Sequence, residues 1–72
     1  MSIFWNLPEI SRLMGERGIV SQQEMNRRAG VSRLTMHNIS KSGPLTRIDV
    51  PVLEGLAKAL GVQPWDLLRY EP

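Results

Sequence analysis

The stretch Gln22-Gln23-Glu24-Met25-Asn26-Arg27-Arg28-Ala29-Gly30-Val31-Ser32-Arg33-Leu34-Thr35-Met36-His37-Asn38-Ile39 decides the fold. Ser21 and Ser32 are N-cap residue types, and each stands directly before a segment with apolar residues at helical spacing. Between the segments lies Gly30-Val31. Glycine accepts the left-handed conformation that closes a helix, and the apolar residue after it folds back onto the last turn. The sequence therefore predicts a helix over Gln22 to Ala29, a sharp turn, and a second helix over Arg33 to Ser40.

The same punctuation recurs outward from this segment. Gly18-Ile19 and Gly61-Val62 repeat the stop signal, and Pro8, Pro51 and Pro64 suit first helical positions. The reading is five helices: Pro8 to Arg17, Gln22 to Ala29, Arg33 to Ser40, Pro51 to Leu60 and Pro64 to Arg69. No segment sustains strand alternation, so the expected fold class is all-α, with a loop over Ser40 to Asp49. Ile10, Leu13 and Met14 share a face of the first helix; Leu53, Leu56, Ala57 and Leu60 share a face of the fourth. Gly55, inside the fourth helix, costs roughly 1 kcal/mol relative to alanine and either permits close approach of a neighbouring helix or is simply tolerated.

Seventy-two residues suffice for one domain, expected to span 1–72. A chain of this size buries only about 60% of the surface its unfolded form exposes. There is no cysteine, so disulfides and thiolate metal sites are excluded. A reducing, cytoplasmic location is expected. The apolar stretch Met1 to Leu7 is too short for a membrane span or a signal-peptide core, and the chain is expected to be soluble and untargeted.

Charge distribution says more than the net charge of +2. No Asp or Glu occurs between Met25 and Ile48, while Arg27, Arg28, Arg33, Lys41 and Arg47 all fall within that window. With Met36 and Ile39 turned inward, Arg33, Leu34, His37, Asn38 and Lys41 form one outward face of the third helix. Arginine can grip guanine, asparagine can pair with adenine, and leucine can touch a thymine methyl. A merely solvated basic face needs no such mixture.

These residues resemble the helix-turn-helix of the lambda repressor and Cro superfamily, also called the xenobiotic-response-element type. The matching features are Ser21-Gln22, Met25, Gly30-Val31-Ser32, Met36 and Ile39. Further on, Leu53-Glu54-Gly55-Leu56-Ala57-Lys58-Ala59-Leu60-Gly61-Val62-Gln63-Pro64-Trp65-Asp66-Leu67-Leu68 is similar to that family's fourth helix, glycine stop and fifth helix. The resemblance implies a double-stranded DNA-binding transcription regulator, expected to be a repressor. It places Arg33, Leu34 and Asn38, with His37 beside them, at base contacts. Gln22, Ser32, Thr35, Lys41 and Arg47 are the expected phosphate contacts, with Arg27 and Arg28 less central. Where the family usually has alanine, four residues before the turn glycine, this chain has Asn26. The larger polar side chain is expected to affect the crossing of the two helices.

No enzyme, metal or cofactor is expected. His37 is the only histidine and has no second ligand at metal spacing. Asp49 and Asp66 stand near helix starts, where negative charge favours the dipole. Phe4, Trp5, Trp65, Leu68 and Tyr70, at the two ends of the chain, either cap the core or form a dimer patch. A homodimer is expected, because one short recognition helix reads only a few base pairs. The alternative class is an antitoxin-like module that binds a protein partner, a toxin, and uses DNA binding for autoregulation.

Overall fold

The computed structural model describes residues 1–41 and 43–72. In chain order it contains β1 (Ser2–Trp5), α1 (Leu7–Glu16), α2 (Gln22–Ala29), α3 (Arg33–Ser40), α4 (Val50–Leu60), a 3₁₀-helix (Pro64–Leu67) and β2 (Leu68–Glu71). Between α3 and α4 the described residues form turns and bends; residue 42 of the expected loop lies outside them. No described helix is long and apolar enough to cross a membrane.

Caps and stops act where the sequence locates them. The side chains of Ser21, Ser32 and Asp49 accept hydrogen bonds from the backbone N–H groups of Glu24, Thr35 and Val52 at 3.2, 3.1 and 3.3 Å. Each satisfies a donor that the first helical turn leaves without an internal partner. Gly18, Gly30 and Gly61 all have φ between 67° and 70°. After each, the next residue donates back to the preceding helix: Ile19 to the Met14 carbonyl at 2.9 Å, Val31 to Asn26 at 3.0 Å and Val62 to Ala57 at 3.0 Å. This is the long bond of a Schellman closure, and it presses Ile19 and Val31 into the core.

The core unites Ile10 and Leu13 of α1, Met25 and Ala29 of α2, Met36 and Ile39 of α3, and Leu53, Leu56, Ala57 and Leu60 of α4. Met25, Leu56, Leu60 and Leu67 are fully buried. The closest helix packing is between α2 and α4. A Cβ on Gly55 would lie 2.2 Å from the Ala29 carbonyl oxygen, so the interior glycine is what lets α4 seat against the end of α2.

Two features depart from the all-α, five-helix expectation. The fifth helical segment is a single 3₁₀ stretch that stops at Leu67 rather than continuing to Arg69. From Leu68 the chain turns extended and pairs antiparallel with β1, in the register Ser2 to Glu71, Ile3 to Tyr70, Phe4 to Arg69 and Trp5 to Leu68. The Asn6 N–H continues the ladder to the Leu67 carbonyl at 2.8 Å. Four-residue strands are too short to display alternation, and their partner lies at the other end of the chain, so no local pattern reveals them. The pairing also divides the five terminal apolar residues. Trp5 is 7% exposed and belongs to the core, which removes it from any surface patch; Trp65 and Tyr70 remain 68% and 56% exposed.

Candidate nucleic-acid interface

Met36 and Ile39 anchor α3 by burial, and their spacing dictates what the rest of the helix presents. Arg33, Leu34, His37, Asn38 and Lys41 are all exposed, whereas Thr35 is half-buried. Leu34 is 68% exposed, which leaves its side chain open to an apolar contact. The helix start is ordered twice over: the Ser32 hydroxyl accepts from the Thr35 N–H and donates to the Thr35 hydroxyl oxygen at 2.8 Å. At the other end, the Ser40 hydroxyl donates to the His37 carbonyl at 2.7 Å, and the Lys41 N–H closes the last turn.

The turn at Gly30 brings the beginnings of α2 and α3 to one cleft, lined by Gln22, Gln23, Asn26 and Arg33. Inside it the Gln22 amide donates to the Asn26 side-chain oxygen at 3.0 Å. Asn26 thus has a polar partner one helical turn away and is only half-buried, so it imposes no unpaired polar atom on the helix crossing. This bond was not anticipated, although the four-residue spacing on α2 is its signal.

A second, shallower groove flanks α3 on its other side and is lined by Thr35, Asn38, Arg47 and Asp49 together with apolar Trp5, Ile39, Leu45 and Val52. It brings Arg47, from the loop, beside the exposed face of α3. Asp49 shares the groove, but its carboxylate is turned to the start of α4, where it caps the Val52 N–H.

The electrostatics of the window follow from ion pairing. Arg28 pairs with Glu24 on its own helix, which leaves it less available to an external anion. Arg27, Arg33, Lys41 and Arg47 have no carboxylate within salt-bridge distance among the described residues. An uncompensated set of cations around an exposed helix, with two helix N-termini opening onto one cleft, forms a positive field suited to a polyanion. The chemistry available is donation from guanidinium, ammonium, amide and hydroxyl groups, with one apolar contact at Leu34.

A family model described as the Cro/C1-type HTH DNA-binding domain matches residues 9–72. The chain belongs to that family. The match takes in all four α-helices except the first two residues of α1, and it continues through the 3₁₀-helix and β2. No curated protein and no solved structure matches the chain. Membership in a Cro/C1-type family makes the helix-turn-helix over α2 and α3 a DNA-binding element.

Proposed function

We propose that this protein is a homodimeric, sequence-specific transcription regulator, acting as a repressor, that inserts α3 into the major groove of double-stranded DNA. The observation that carries the reading is the outer face of α3. Buried Met36 and Ile39 hold the helix, and Arg33, Leu34, His37 and Asn38 stand exposed on a helix that carries no acidic residue. In this reading those four residues meet base edges: Arg33 suits a guanine, Asn38 an adenine and Leu34 a thymine methyl.

Gln22, Ser32, Thr35, Lys41 and Arg47 surround that face and hold phosphates, fixing register without specifying sequence. Gln22 and Ser32 lie at helix starts, where backbone N–H groups add to anion binding. Among the terminal apolar residues, Phe4, Trp65, Leu68 and Tyr70 serve the dimer contact.

The test is selection from a random duplex library by the purified protein at near-physiological salt. The expected outcome is enrichment of a palindrome with half-sites about ten base pairs apart, as two recognition helices related by a dyad require. Recovery of an unenriched pool would overturn the sequence-specific reading.

A further inference from the structure

On α2, Gln22 and Asn26 form a side-chain pair that the fold does not require. The Gln22 Nε2 donates to the Asn26 Oδ1 at 3.0 Å, and neither side chain has another hydrogen-bond partner among the described residues. Gln22 is exposed and Asn26 half-buried, and both line the cleft together with Gln23 and Arg33. Asparagine is a poorer helix former than alanine, and a side-chain pair four residues apart on a helix surface returns little. Alanine would serve the helix better and would leave no polar atom to satisfy. A residue that goes against local preference with no gain to the fold points to function.

The bond changes what Gln22 can offer. An unpaired glutamine rotates freely and presents its nitrogen and its oxygen in turn, whereas a phosphate oxygen accepts hydrogen bonds and donates none. Only the N–H side of the carboxamide serves a phosphate. Because the group is planar, one hydrogen bond to its nitrogen fixes the direction of the second N–H as well. That second N–H is free, and none of the residues lining the cleft is a carboxylate that would compete for it. A donor ordered before binding spares the entropy of ordering it at the moment of contact.

We infer that Asn26 is a positioning residue for DNA binding: it holds the Gln22 carboxamide so that the free N–H meets a backbone phosphate, and it acts through Gln22 alone. The inference rests on the reading above in which Gln22 holds a phosphate, and it adds the group that orients that contact.

Binding to a duplex of arbitrary sequence tests it, because a phosphate contact does not depend on sequence. Fluorescence anisotropy gives the affinity, and urea unfolding gives the stability of each variant. Asn26→Ala, and Asn26→Leu of similar size, are each expected to weaken binding by roughly two- to tenfold, the range for ordering one flexible side chain on contact. The urea midpoint of Asn26→Ala is expected to hold or rise, which a merely structural role would not allow. Gln22→Ala is expected to weaken binding at least as much, and Asn26→Ala added to it is expected to weaken binding no further. Unchanged affinity in Asn26→Ala overturns the inference. So does a loss that persists at full size in the Gln22→Ala background, which assigns Asn26 a DNA contact of its own, or a loss that tracks a fall in the urea midpoint. Failure of the sequence-specific reading appears instead as an unenriched library, and neither result decides the other.

Discussion

The outer faces of α1 and α3 both carry an arginine and do opposite things with it. On α1, Arg12 lies between Glu9 and Glu16 and pairs with both, at 2.7 Å to Glu9. The Arg12 guanidinium holds the Glu9 carboxyl below the ordinary carboxylate range, and the two carboxylates raise Arg12 in turn. On α3, Arg33, His37 and Lys41 lie on a helix with no acidic residue, and no carboxylate of the described chain reaches Arg33 or Lys41. The lesson is that a count of basic residues says little about nucleic acid. What matters is whether each cation is already neutralised within its own helix. Arg28, paired with Glu24, is an α1-like residue inside the basic window.

The comparison breaks most severely when the support of α3 is removed while α1 is left alone. Gly55→Ala drives a methyl group into the Ala29 carbonyl and pushes α4 off α2. Overpacking of this kind costs about 1–3 kcal/mol, more than the helix-propensity gain of roughly 1 kcal/mol from the same substitution. A lower urea midpoint, with DNA binding lost in step, is the expected result. Next in size is Arg33→Ala, which should cost about 1–3 kcal/mol of affinity on the selected site and relax preference at one base pair. Fluorescence anisotropy on the site and its single-pair variants reads both quantities. An equal loss on every duplex would reassign Arg33 to the phosphates.

Lys41→Ala should weaken all sequences alike and reduce the slope of log affinity against log salt by about 1. The smallest effect belongs to α1. Arg12→Ala is expected to leave both affinity and salt slope unchanged, because its charge is already matched by its own helix. A salt slope that falls with Arg12→Ala would erase the distinction between the two faces.

The helices were legible because their signals are local. The N-caps, the three glycine stops and the apolar spacing each involve residues within about one turn of one another, so the chain displays them in order. The inward turn of Met36 and Ile39 follows from the same spacing, and with it the exposed set on α3. The Gln22–Asn26 bond was legible in principle from its spacing. The placement of Arg17 was not. Its guanidinium donates to the Leu60 carbonyl at 2.8 Å, a cationic cap at the end of α4 from a residue 43 positions earlier.

By itself, then, the sequence determined four helices, their ends and the face that α3 turns outward, since backbone conformation and amphipathic spacing are properties of neighbours along the chain. Only the tertiary structure decided the rest. It made a strand of Leu68–Glu71, buried Trp5 while leaving Trp65 and Tyr70 exposed, brought Arg47 beside α3, and seated Gly55 on Ala29. Each of these depends on hydrogen bonds or contacts between residues far apart in sequence, whose partners exist only once the helices have packed.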